Sequence, residues 1–224
     1  MSVRVVGLNG IIRCLYQYIE DLNMLLIEQL RAHQRLLKKC RRCANMMPPV
    51  VTGEAVASRV LLVGQAPGAR EREVGKPFAW TAGKTLFKWF DSIGLAEEAF
   101  RQRVYMAAVC RCFPGKNPKG GDRVPDDTEI SNCSSWLDAE IRLLRPQLII
   151  PVGKLAIGQF MDAGRLVDAI GHEYELEENG CLINVIPLPH PSGASTWHRT
   201  EPGISLLNKA LQLISDHPAW KAMI

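Results

Sequence analysis

The sequence predicts a three-layer α/β sandwich around a short, mostly parallel four-stranded sheet. Two observations carry this. Residues 59–63, 104–109, 147–152 and 182–187 are short, nearly continuous apolar runs rich in Val, Ile and Leu, the pattern of strands buried on both faces. Helical spacing occupies 82–93, 127–144, 153–162 and 203–215, and strands alternating with helices put a sheet beneath helices on each side. Ahead of them, Leu22, Leu25, Leu26 and Leu30, with Leu36 and Leu37 further on, recur at three and four and predict a long helix over 15–39. Residues 1–39 are therefore expected to form an N-terminal extension and helix, and 40–224 the main domain. "ANMMPPVVTGEAVAS" reads as the linker between helix and first strand. Ligands of open parallel sheets bind at the carboxyl ends of the strands, so function is expected in the loops that follow each run.

Composition narrows the partners. The chain has 224 residues, 47% hydrophobic and 22% charged, enough for one good core. Its apolar runs stop well short of the roughly 18 residues a membrane span needs, and no apolar signal segment with a small-residue cleavage site opens it. A soluble intracellular protein with no membrane partner is expected. Net charge is only +4, so affinity for a polyanion must come from local clustering. "RAHQRLLKKCRR" (31–42) holds six Lys or Arg among twelve residues; alone it is a solvated helix face. "CRCFPGKNPKGGDR" adds four cations and "HPSGASTWHR" ends in His198 and Arg199, so three basic segments are available to one anionic ligand.

The loop after the first strand, "GQAPGAREREVGKPFAW", is glycine-rich, yet it is not a phosphate loop. Gly83-Lys84-Thr85 supplies the tail of that motif, but the glycine required five residues earlier is Phe78. Nor does Gly64-Gln65-Ala66 carry the second glycine of a dinucleotide fingerprint.

Seven cysteines stand at 14, 40, 43, 110, 112, 133 and 181. In a reducing compartment they serve burial or metal rather than disulfides. Cys40-x-x-Cys43 grips one corner of a metal site. A third ligand from Cys110 or Cys112 and a fourth from Cys133 complete a four-thiolate set that suits zinc or an iron-sulfur cluster. Cys14 and Cys181 read as small buried hydrophobes.

These residues carry a resemblance. "GQAPGAREREVGKPFAWTAGKTL" resembles the first motif of the iron-sulfur (family-four) uracil-DNA glycosylases, and "LPHPSGAS" the second motif of that superfamily. "VYMAAVCRCFPG" with "EISNC" is similar to the family segment between them. The resemblance spans about 40–215 and implies a [4Fe-4S] cluster on Cys40, Cys43, Cys112 and Cys133, with Cys110 off the ligand set and zinc as the alternative. It further implies a monomeric, cytoplasmic, nucleoid-associated DNA-repair enzyme acting on uracil-containing DNA.

Its implied site is specific. Phe78 stacks on a flipped base, with Pro77 fixing its approach; His190 donates toward the uracil O2, helped by backbone N–H groups around Gly64, Gln65 and Ala66. Glu71 holds the acidic position and is expected to place water, and Ser192 to meet a phosphate. Three positions depart from the family. Gln65 replaces Glu, Arg72 replaces Asp, and Ala108 stands where the family has the asparagine that reads the base edge. The stretch between Cys112 and Cys133 is long and basic but has no histidine, which removes one route to covalent trapping; Lys116, Lys119 and Arg123 are expected on backbone phosphates. Ala194 or Trp197 would fill the gap left by the flipped base, and Arg199 lies beside them.

The expectation is a monofunctional glycosylase that hydrolyses the uracil N-glycosidic bond to leave an abasic site. The alternatives are excision of hypoxanthine or xanthine, prompted by Ala108, and a catalytically weak module that holds damaged DNA.

Overall fold

The computed structural model describes residues 8–118, 120–178, 180–193 and 195–224. Lys119, Ala194 and the side chain of Cys14 lie outside the described residues.

The chain opens with α1 (Leu8–Leu37) and crosses an irregular segment to β1 (Val60–Gly64). Then come α2 (Ala69–Val74), α3 (Thr81–Asp91), α4 (Glu97–Arg103) and β2 (Tyr105–Ala108). A long loop leads to α5 (Asp127–Leu144), β3 (Leu148–Pro151), α6 (Lys154–Ile157) and α7 (Leu166–Ala169). The chain closes with β4 (Tyr174–Glu178), β5 (Cys181–Val185), a 3-10 turn (Trp197–Arg199), α8 (Gly203–Asp216) and α9 (Pro218–Lys221).

The sheet has five strands in the order β2-β1-β3-β5-β4. Four run parallel and β4 pairs antiparallel with β5. The expected count of four is corrected by β4. Its "YELEE" carries three glutamates and is mostly exposed, so it is a charged edge strand of the kind that discourages pairing with other chains. A search for apolar runs does not see it. Likewise the helix expected over 153–162 shrinks to one turn, α6, with further turns after it.

Side-chain alternation along β1 builds the two inner layers. Val60 and Leu62 face one core with Phe87, Phe90, Phe100, Leu207 and Trp220; Leu61 and Val63 face the other with Leu30, Tyr105, Leu137 and Val185. These four β1 residues are fully buried, the period-two pattern of a strand covered on both sides. Leu30 and Leu37 bring the second half of α1 into the buried interior. There Gln34 donates to the Gly53 carbonyl and to the Tyr105 hydroxyl, both at 3.2 Å.

α5 starts where its sequence dictates. Asp126 accepts from the Glu129 N–H and Glu129 accepts from the Asp126 N–H, each at 2.9 Å, a reciprocal cap at the helix N-terminus.

Candidate active site

The carboxyl ends of β1 and β2 lie side by side, with Gly64 paired to Ala108. The chain after β5 continues along β3, where Leu188 bridges Val152, and this delivers His190 to the same end of the sheet. Between them opens a cavity of about 960 Å³, the size of a small-molecule site. Gly64, Gln65, Ala66, Glu71, Phe78 and Ala108 line it, as do His190, Ser192, Lys116 and Arg123. Four distant segments of sequence thus converge on one space.

Ring orientation of His190 is set locally. Its Nδ1 accepts the Ser192 backbone N–H at 3.2 Å, which in the neutral ring leaves the proton on Nε2. Burial, with His198 nearby, holds this imidazole below its ordinary pKa, so the neutral donor form is favoured.

Phe78 is held by its backbone. Its φ of 51° is in the left-handed region, an uncommon place for an aromatic residue. The ring lies against Gly64, where a Cβ would meet Phe78 Cζ at 3.0 Å. The Phe78 carbonyl lies against Gly83, where a Cβ would meet the oxygen at 1.7 Å. Both glycines serve the close approach of Phe78.

Glu71 sits in α2, a helix not expected from the sequence. One of its carboxylate oxygens accepts the Gly68 N–H at 3.0 Å, while Glu73 pairs with Arg70 at 2.7 Å on the exposed side. The two neighbouring glutamates are thereby separated in role. Asp122, a residue sequence reasoning did not single out, also flanks Gly68 across the cavity wall. It belongs to a small hairpin in which Lys116 bridges Asp122 and their side chains pair at 2.6 Å. Arg123 is engaged elsewhere: it grips both oxygens of Glu129 at 2.7 and 2.8 Å and donates to the Pro114 carbonyl at 2.9 Å. It anchors the hairpin to the start of α5. Lys116 keeps an exposed side chain.

Two expected DNA contacts do not line the cavity. Trp197 packs against the aliphatic and aromatic core and against Gly203 of α8, and the Arg199 Nε donates to His198 Nε2 at 3.4 Å. An exposed indole does stand at the cavity wall: Trp80, with the Arg70 guanidinium 5.4 Å from its ring centre.

Behind Ala108 lies a buried polar network. The Arg111 Nε donates to the Ala108 carbonyl at 2.8 Å and its Nη2 pairs with Glu140, which also accepts from the Tyr105 hydroxyl at 2.8 Å. Arg111 is 2% exposed and Glu140 not at all. Burial works against the charge of Glu140, yet Arg111 and its other partners hold the carboxyl below its usual range. Arg111 lines both the cavity and a second, smaller pocket.

That second pocket gathers Cys40, Cys43, Cys112 and Cys133, with Arg41 and Arg42 among its walls. Cys110 is fully buried outside it and hydrogen-bonds Cys133, an arrangement that lowers the Cys133 pKa to about 6. Burial and neighbouring thiolates push Cys112 up to about 11. The Asn132 amide approaches Cys43 Sγ at 3.7 Å. Four thiols with arginines and an N–H donor around them could hold a thiolate-bound metal or cluster, whose sulfurs accept such hydrogen bonds. Among the described residues no three His, Cys, Asp or Glu side chains converge on one ion position.

A family model described as the uracil DNA glycosylase superfamily matches residues 51–213. The chain belongs to that superfamily. A type-4 uracil-DNA glycosylase of Archaeoglobus fulgidus is 31% identical over 170 residues, 70% of this chain and 79% of the relative. One of Saccharolobus solfataricus is 30% identical over 167 residues, 70% and 73% of the two chains. A type-5 uracil-DNA glycosylase of Pyrobaculum aerophilum is 31% identical over 164 residues, 68% and 70%. Within the superfamily the chain groups with the type-4 members.

Proposed function

We propose that this protein removes uracil from DNA by hydrolysing the N-glycosidic bond of a flipped-out nucleotide, leaving an abasic site. The observation that carries this reading is the convergence of His190, Glu71 and Phe78 on one cavity at the carboxyl ends of β1 and β2. Base extrusion costs a few kcal/mol, which stacking and edge contacts in a pocket offset. Phe78 offers the stacking face. As the bond breaks, positive charge develops on the sugar and negative charge on the base. The Nε2–H of His190 donates to the uracil O2, together with backbone N–H groups of the Gln65–Ala66 turn, where the negative charge grows. Glu71, oriented by Gly68, holds the water that attacks the sugar. No lysine is assigned a Schiff-base role, so the reaction ends at the abasic site. Ser192, Lys116 and Lys119 contact phosphates, and Arg123 holds the hairpin that presents Lys116.

Cys40, Cys43, Cys112 and Cys133 would hold a [4Fe-4S] cluster, which when bound cross-links the segment after α1 to α5 and the loop after β2. Visible absorption of freshly purified protein, lost in C112S, tests this against zinc. The protein is read as a monomer acting on cytoplasmic, nucleoid DNA. Among the described residues no helix is long and apolar enough to cross a membrane.

Ala108 favours a second reading, excision of hypoxanthine or xanthine, because a pocket discriminates strongly only while its polar partner for the base is present. Strand cleavage after alkali, on oligonucleotides carrying one uracil, hypoxanthine or xanthine, tests both. Uracil cleavage that is lost in H190A and E71Q is the expected result. Cleavage of the purine substrates alone favours the second reading. Binding without cleavage of any of them would leave a damaged-DNA binding module.

A further inference from the structure

Phe78 can serve as a stacking platform only if its backbone stays in a conformation that most aromatic residues avoid. Something must hold it there, and α4 supplies the group. Arg101, in the last turn of α4, is 9% exposed. Its Nη1 donates to the Pro77 carbonyl at 2.9 Å and its Nη2 to the Phe78 carbonyl at 3.1 Å. Its guanidinium carbon lies 4.5 Å from the centre of the Phe87 ring, and its Nε donates to Glu97 at 2.9 Å.

Two successive carbonyls meeting one guanidinium is not an arrangement of extended chain, where neighbouring carbonyls point to opposite sides. At Phe78, whose φ is positive, both carbonyls reach the one guanidinium. The planar fork of arginine then fixes both at once, which a lysine, as a point charge, cannot do. The Glu97 pair is not what holds Arg101 in place, since the Glu97 side chain is half exposed and such pairs contribute little.

We infer that Arg101 is a positioning residue for base recognition: by clamping the Pro77 and Phe78 carbonyls it sets the Phe78 ring where the extruded base must stack. The inference rests on the reading of Phe78 as the platform. It assigns to α4, which does not line the cavity, a role in the chemical step.

Single-turnover excision of uracil is compared in the wild type, R101K, R101Q and E97Q, with Tm and DNA affinity measured alongside. R101K is expected to slow the step by about tenfold and R101Q by up to about 100-fold, the scale of an ångström misplacement. DNA affinity should stay within about twofold, because Arg101 touches no DNA, and E97Q should behave as wild type. R101K is then combined with F78A in a double-mutant cycle. A positioning role predicts that R101K costs nothing further once the ring is gone. The same loss of rate in both backgrounds would overturn the inference, as would a folded R101K with the wild-type rate. Should R101Q fail to fold, R101K and the cycle still decide. A wild type that leaves uracil in place, on the other hand, refutes the proposed function rather than this role.

Discussion

The backbone N–H of Ser192 donates to Nδ1 of His190 across 3.2 Å. A residue expected only to meet phosphate therefore also fixes the tautomer of His190, the proposed donor to the base. Removing the ring in H190A should cost about 10²–10³ in the excision rate, as for loss of one donor to a developing anion, with DNA affinity little changed. Because the neutral ring is the donor and its pKa is lowered, the rate should hold as pH falls through 6.5 and decline only below it. A rate that drops at the ordinary histidine value would count against neutral His190.

Ala108 sits opposite Gly64 at the cavity wall, and an amide there would supply both a donor and an acceptor to a pyrimidine edge. A108N is expected to raise the preference for uracil over hypoxanthine by about tenfold or more. The ratio of single-turnover rates on the two substrates measures this. An unchanged ratio would mean that another group already reads the edge.

The Glu140 carboxylate is fully buried between Arg111 and Tyr105. E140Q leaves the Arg111 charge without its counterion and should lower stability by about 3–5 kcal/mol, as for a broken buried pair. Urea unfolding followed by circular dichroism reads the difference. A loss below about 1 kcal/mol, the scale of an exposed pair, would contradict the burial described.

Three histidines, His190, His198 and His217, have folded pKa values lowered by burial from 6.5. Below that value the unfolded chain takes up protons that the folded chain resists, so stability is fully present above 6.5 and falls as pH drops toward the folded values. The urea midpoint should be lower at about pH 5.5 than at about pH 7.5. Equal midpoints would show that these rings titrate alike in both states.

Much of this fold is written in the order of residues. The start of α5 follows from Asp126 and Glu129, and the four parallel strands from apolar runs that need no partner to be recognised. β4 escaped because Glu175, Glu177 and Glu178 make it a charged, mostly exposed edge strand without the burial signal. Spacing pointed to Cys40, Cys43 and Cys133 but left Cys110 and Cys112 open; the resemblance favoured Cys112, and the pocket that holds it with the other three excludes Cys110. Trp197 was less legible: an indole near a motif serves equally as core, and only the structure shows that its ring packs on α8. Arg101 gave no signal at all. It lies in a short helix 23 residues from Phe78, and the need for a clamp there becomes visible only with the backbone angle of Phe78.

The tight fit of Gly83 against the Phe78 carbonyl bears on how such chains are sorted by pattern. Gly83-Lys84-Thr85 imitates the end of a nucleotide-binding signature, but the glycine is there to admit a neighbour's oxygen, not a ligand's. A saturation library at position 83 should therefore recover a single letter from active clones, and adding ATP to those clones should change nothing.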